Sequence, residues 1–267
     1  MSTSPRPTPT DATAAVPLQP LARLRPLPPQ AASAPEVPLD HPGAHRPHRI
    51  YVALTNHCNR ACPWCSTHSG PAGSTFVDVP ALLASLPEDR PFELQLEGGE
   101  PLVHPAFWAL VEAARARPGC QRLILATNGV CIPRQARRLE AFLHRLGSPT
   151  TLKLSYNHHL RDHDPGLLTL ASALAAAMEA RGDTFVLNVR LRRGEDHDDV
   201  AVRAAVDDAG LAAVANVFWL ERYGLASDRE SWDVPLPVWG DFTLVNPDGS
   251  RHGTDLLARS AAMGRLP

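Results

Sequence analysis

From residue 48 the sequence settles into a repeating pattern: a short apolar run, then a longer amphipathic one. Strands are expected at 48–54, 92–97, 122–127, 151–156, 184–191 and 213–220. Helices are expected at 79–86, 105–115, 133–146, 167–181 and 198–208. Pro105 and Pro133 suit a first helical turn and Asp198 suits a cap. Gly182 and Gly210 stand where a left-handed residue stops a helix. Repeated strand-then-helix units need crossover connections, and these give a parallel sheet. The expected class is therefore α/β, and with 44 % hydrophobic residues among 267 the chain can bury a sizeable core.

The two ends depart from this pattern. Residues 1–46 mix recurrent proline with Ala, Ser and Thr and contain no aromatic residue, a composition that buries too little surface to offset ordering entropy; a disordered tail is expected. Residues 21–27 are apolar enough to dock locally. Arg6, Arg23 and Arg25 leave an organelle transit peptide open, against which the prolines argue. A core domain is expected over 47–230. The remainder, 231–267, reads as an extension covering the sheet's end: a strand at 242–245, a tight turn at 246–249 and a helix at 254–263. With 26 basic and 28 acidic residues the net charge is −2, so no positive field attracts nucleic acid. No apolar run is long enough for a membrane span. Without a secretory signal at the start, a cytoplasmic setting with reduced thiols is expected.

Against that background the stretch Cys58-Asn-Arg-Ala-Cys62-Pro-Trp-Cys65 stands out. It follows the first strand directly. Closely spaced thiols in a chain with no secretory signal point to metal binding or catalysis rather than a disulfide. Cysteines in one loop hold iron–sulfur clusters. Three of them leave one iron of a four-iron cluster open to a small molecule. Zinc is the other metal reading, with His57 or His68 as a fourth ligand.

Cys58, Cys62 and Cys65, the aromatic Trp64 before the last of them, and Gly98-Gly99-Glu100-Pro101 after the second strand together resemble the radical S-adenosylmethionine (SAM) superfamily. Along the strand–helix pattern the resemblance runs from about residue 48 to the C-terminus. It implies a partial (β/α)6 TIM-like barrel of parallel strands with a short C-terminal extension. It also implies a [4Fe-4S] cluster on the three cysteines and SAM on the open iron. Reductive cleavage of SAM then gives methionine and a 5′-deoxyadenosyl radical, which takes hydrogen from the substrate. A one-electron reductant such as flavodoxin or ferredoxin is implied as partner.

Sites in parallel barrels lie at the C-terminal strand ends. There Gly98 and Gly99 allow close backbone approach to a ligand, with a plain turn as the alternative. Glu100 is expected to accept a charge-assisted hydrogen bond from the methionine ammonium of SAM. Trp64 matches the family's adenine-contacting position, or simply packs. In the fourth strand Ser155 falls where family members keep a polar residue, and Lys153 and Asn157 share its face. In the fifth, Asn188 and Arg190 are candidates for a ribose hydroxyl and a carboxylate, or face solvent. The family's adenine motif near that strand is not recognisable. Thr127-Asn128-Gly129 ends the third strand at the rim and reads as a turn, with a ligand contact as the alternative. Asn157-His-His159 and Arg161-Asp-His163-Asp164 read as a solvated polar loop, with metal binding by the histidines or substrate contact as the alternatives. Tyr223 is the candidate for relaying hydrogen. Cys120 and Cys131 are read as ordinary thiols, and the absence of any cysteine beyond Cys131 leaves no auxiliary-cluster extension. The substrate is expected to be a small molecule or a peptide from a biosynthetic pathway, with a glycyl-radical activating role also open. The reading from a different class is a structural or electron-transfer iron–sulfur or zinc protein without SAM chemistry.

Overall fold

The computed structural model describes residues 47–192, 196–235, 238 and 240–267; the expectations for residues 1–46 lie outside the described residues. Among the described residues seven strands form one sheet: β1 (His48–Ala53), β2 (Phe92–Glu97), β3 (Cys120–Thr127), β4 (Thr150–Tyr156), β5 (Thr184–Leu191), β6 (Ala215–Trp219) and β7 (Phe242–Val245). Their order across the sheet is β6-β5-β4-β3-β2-β1-β7. Every pairing is parallel. The helices are α1 (Val79–Ala84), α2 (Phe107–Arg115), α3 (Ala136–Leu146), α4 (His158–His163), α5 (Leu167–Ala180), α6 (Asp196–Asp208) and α7 (Leu256–Met263). The sheet curls into an open, TIM-like half barrel.

The period-two alternation explains how the two faces differ. On β2, Phe92, Leu94 and Leu96 are fully buried on the face that meets the helices, where Leu110, Val111, Leu143 and Leu174 complete the core. Each such side chain contributes about 1.5–3 kcal/mol. Glu93, Gln95 and Glu97 alternate with them onto the inner face. There Glu93 meets Arg49 and Arg122, and the Lys153 ammonium donates to Gln95 at 2.9 Å. A closed barrel fills its interior with Val, Ile and Leu. This sheet does not close, so its inner face keeps paired polar side chains that water or a ligand can reach.

Six strands were expected in the sheet and there are seven. The strand of the C-terminal extension joins the same sheet, β7 lying parallel to β1 with Arg49 opposite Phe242 and Val52 opposite Val245. The polar stretch after β4 is not a loop but the short helix α4. Asn157 caps it by accepting from the Leu160 N–H at 2.9 Å. Pro105 and Pro133 precede their helices rather than opening them, since α2 starts at Phe107 and α3 at Ala136. Asp198 lies inside α6 and is no cap; its carboxylate accepts from Arg192 at 3.0 Å.

Candidate functional site

Because all strands run parallel, the segments that leave their C-terminal ends gather on one rim. The cysteine loop leaves β1 there and is folded by its own backbone. The Cys58 N–H donates to the Gly70 carbonyl at 3.0 Å, and the Gly70 N–H donates to Asn56 at 3.1 Å. The Cys65 N–H donates to the Cys62 carbonyl at 3.2 Å. Cys58 is buried; Cys62 and Cys65 are half-buried, and all three are free thiols. Burial pushes Cys58 up to about 12 and Cys62 to about 11, with the neighbouring thiols adding repulsion. They are protonated at neutral pH until a metal takes the proton's place. Donors already face two of the sulfurs: the Ser69 N–H reaches Cys65 Sγ at 3.4 Å, and Asn128 Nδ2 reaches Cys58 Sγ at 3.6 Å. Among the described residues no group of three or more His, Cys, Asp or Glu side chains converges on a point suited to a single metal ion. Three thiols in one loop with N–H donors turned to sulfur do fit a polynuclear iron–sulfur cluster, which spans its ligands and is tuned by such donors.

The turn after β2 is locked to this loop. The Gly99 N–H donates to the Thr55 carbonyl at 2.7 Å, and the Glu100 N–H donates to the His57 carbonyl at 3.0 Å. A Cβ on Gly99 would sit 2.0 Å from the His57 oxygen, so only glycine permits this approach. The Gly98 carbonyl accepts from the Thr67 hydroxyl at 3.2 Å. Glu100 is fully buried. One carboxylate oxygen accepts from the Thr127 hydroxyl at 2.8 Å and the Leu102 N–H at 3.2 Å; the other accepts from the Asn128 N–H at 2.8 Å. Its close partners are thus protein donors on the β2 and β3 ends. Burial raises it to about 7 despite the three hydrogen bonds. Asn128 links this brace back to the loop through Asn59 Oδ1 at 2.8 Å. Asn59 in turn reaches Cys131 Sγ at 3.4 Å. That brings the exposed Cys131 close to the cysteine loop, while Cys120 stays at the far end of β3.

On the inner face Ser155 pairs with Asn188, and Asn188 with Asn216, in adjacent register; Arg190 lies opposite Phe218 with its guanidinium 5.8 Å from the ring. Asn216 donates to Asn188 at 3.2 Å. Arg190 acts electrostatically on both Cys62 and Tyr223, so β5 reaches the loop. Tyr223, raised chiefly by burial, bonds Ser66 of the loop. Beyond it Gly224 sits at φ +65°, and a Cβ there would lie 2.4 Å from the Cys65 carbonyl, which also accepts from the Leu225 N–H at 3.0 Å. Trp64 points the other way and packs against Leu220, Ala226 and Trp232. Its ring stacks 4.8 Å from His158 of α4. Its indole nitrogen is buried without a partner among the described residues.

Sequence reasoning missed the clasp supplied by the C-terminal extension. Arg259 of α7 donates to Glu97 at 2.5 Å, and Ser260 donates to the Ser66 carbonyl at 2.6 Å. The Pro267 carbonyl accepts from Asn56 at 2.8 Å. Burial by itself would raise Glu97, yet the charge and hydrogen bonds of Arg259, with Gln95 and Lys153, hold it lowered. A lone arginine in a helix gave no signal of this role; only the fold brings it to the end of β2.

No family model matches the chain. Over 156 residues it is 30 % identical to the GTP 3′,8-cyclase of Chlorobaculum tepidum, covering 57 % of this chain and 47 % of that protein. It is 37 % identical over 92 residues to the mycofactocin maturase MftC of Mycobacterium ulcerans, covering 33 % and 24 %. Among solved structures, SuiB of Streptococcus suis bound to its precursor peptide SuiA superposes with a TM-score of 0.54 at 11 % identity. That match covers 77 % of this chain and 58 % of SuiB, and it shows a shared fold. The chain spans about half the length of the curated relatives it matches.

Proposed function

The chain belongs to the radical SAM superfamily, as do the cyclases, the maturase and SuiB, and from that premise we propose that it is an enzyme cleaving SAM to start radical chemistry on a small molecule or peptide. The observation that carries the reading is the joining of the cysteine loop to the glycine turn by the Gly99-to-Thr55 and Glu100-to-His57 hydrogen bonds. Cys58, Cys62 and Cys65 would hold a [4Fe-4S] cluster. Once bound there, such a cluster would supply the electron for reductive cleavage of SAM to methionine and a 5′-deoxyadenosyl radical.

The chain's own residues then position and exclude. Gly98 and Gly99 present backbone to the methionine moiety, and Glu100 holds that backbone rigid through Thr127, Asn128 and Leu102. Trp64 orders the adenine side of the loop. Ser155, Asn188 and Arg190 face the inner rim with polar groups suited to ribose and carboxylate. To Tyr223, tied to Ser66 and near Arg190, we assign the relay of a hydrogen atom or proton. The polar inner face keeps the substrate side wet enough for a charged ligand. One relative is named for GTP and SuiB is seen with a precursor peptide; these support the two substrate classes and do not choose between them. A one-electron carrier such as flavodoxin or ferredoxin is the partner.

Anaerobic reconstitution tests the reading. About four irons per chain are expected, the stoichiometry of a cubane cluster. SAM and a reductant should then yield 5′-deoxyadenosine. Replacing Cys58, Cys62 and Cys65 with Ala should abolish iron loading, whereas replacing Cys120 and Cys131 should leave it intact. Full iron content in the triple variant removes the assignment; iron without 5′-deoxyadenosine leaves a cluster protein with no SAM chemistry.

A further inference from the structure

Of the 26 lysine and arginine residues in this chain, Lys153 is the only lysine. It does not stand on the outer surface, where lysines are usual. It is half-buried on the inner face of β4. Its neighbours across the sheet are Ala126 on β3 and Val186 on β5. Both are short and half-exposed, so the side chain between them borders the open interior of the half barrel.

Both carboxylates of the inner face already have cations. Glu93 lies between Arg49 and Arg122, and Glu97 receives Arg259. Arg190 and Lys153 are left without an ion-paired carboxylate among the described residues. Arg190 stands at the rim end of β5, four residues beyond Val186, which is opposite Lys153. By strand rise the two cations are about 13 Å apart along the sheet, far enough to serve two different anions. An ammonium has three N–H donors. The Gln95 amide oxygen takes one of them at 2.9 Å, and it is turned that way because the Gln95 amide nitrogen donates to Glu97 at 2.5 Å. The other two donors have no protein acceptor among the described residues. Burial lowers the ammonium from its usual value and Arg49 adds to this, while Glu97 and Glu93 oppose it only from beyond ion-pair range. A half-buried cation that meets an amide instead of a carboxylate is costly alone and is stabilised by an anion beside it.

We propose that Lys153 is the anchor for an acidic group of the substrate, a carboxylate or a phosphate, drawn into the interior of the half barrel. The inference rests on the function proposed above and narrows its substrate to an acid. Gln95, fixed by Glu97, aims the ammonium, and the two remaining N–H groups take oxygens of the anion in charge-assisted hydrogen bonds. Arg190 stays with the carboxylate of SAM at the rim. With its acidic end held deep, the rest of the substrate extends toward the strand ends that carry the cysteine loop.

Inorganic pyrophosphate and glutarate serve as probes, titrated into the reconstituted protein by calorimetry at constant ionic strength. One site per chain is expected for at least one of them, and the tighter of the two tells a phosphate-bearing substrate from a carboxylic acid. Lys153→Gln should weaken that site about tenfold, the loss of one charged hydrogen-bonding partner. Lys153→Arg, which keeps the charge, should weaken it no more than about threefold. Arg251→Gln removes a charge from an exposed residue on the turn beyond β7 and should leave binding unchanged. Because no other lysine exists, acetylation by acetic anhydride reads the same site in the parent without any substitution; saturating anion should slow modification of Lys153 about tenfold. No site for either anion, equal binding in the parent and Lys153→Gln, or unslowed acetylation overturns the proposal, as does an equal loss in Arg251→Gln. None of these measurements requires SAM cleavage. Absence of 5′-deoxyadenosine from the parent would therefore strike the function proposed above, and the binding series would still decide whether Lys153 anchors an acid.

Discussion

Glu100 is held between two opposing effects. Burial disfavours its charge, while the Thr127 hydroxyl and the N–H groups of Leu102 and Asn128 favour it. Burial prevails, lifting the group from 4.5 to about 7. Between those values the folded chain binds more protons than the unfolded one, so stability falls as pH rises through that window. Denaturant titrations at pH 5 and pH 8 should show this loss in the parent and not in Glu100→Gln. At pH 5 that variant should itself be weaker by about 1–3 kcal/mol, because its amide must turn an N–H toward a backbone N–H. An equal pH slope in both proteins would show that Glu100 does not titrate in this range. Gly224 gives a second test at this scale. Gly224→Ala combines a left-handed backbone with a Cβ driven into the Cys65 carbonyl, a strain of about 1–3 kcal/mol. The turn should lift off the loop, and Cys65 should react faster with iodoacetamide; an unchanged rate would mean that the turn does not clasp the loop.

Between elements, Arg259 of α7 ties the C-terminal helix to Glu97 at the end of β2. Arg259→Met leaves the half-buried Glu97 with only Gln95 and Lys153 to favour its charge and should cost about 1–3 kcal/mol. Adding Glu97→Gln should restore most of it, read as recovery of Tm; if the double variant is no better than the single one, packing rather than charge accounts for the loss. The elements also show what local pattern can and cannot reveal. α3 was legible because Leu139, Phe142, Leu143 and Leu146 fall on one helical face. β4 and β5 were legible because their alternation carries buried side chains on one face, whereas β6 has no buried side chain and was legible only as a run of apolar residues. α4 was not, since its sequence His-His-Leu-Arg-Asp-His holds one apolar residue and no period; it is a helix because Asn157 caps it and Leu160 is buried. β7 was legible as a strand but not as a neighbour of β1, because four residues do not specify a partner so far away. At the site, the cysteines and glycines announced themselves by spacing. Whether Glu100 turns to a ligand or to the protein depended on Thr127 and Asn128, in the turn that ends the next strand.

For the whole molecule, the sheet edge that carries the cysteine loop is finished by residues far along the chain. His48 and Asp241, which meet at the start of the β1–β7 pair, are 193 positions apart, and Ser260 and Ser66 are 194 apart. Closing a loop of that length costs about 4–5 kcal/mol on the (3/2)RT ln n scale, paid before those contacts form. Pairing of this kind is slow relative to local contacts. Kinetics therefore separate the cysteine loop from its clasp: β1 and the loop are translated early, yet Ser66, Asn56 and Thr75 meet α7 and Pro267 late. During that interval the thiols are open to solvent, and closure of the C-terminal segment afterwards covers them. Pulse alkylation during refolding should find Cys120, inside the local β2–β3 pair, protected first and Cys58 last. Simultaneous protection of the two would mean that the loop closes without waiting for β7. The same C-terminal segment that completes the sheet would then set the moment at which a nascent chain seals its cysteine loop.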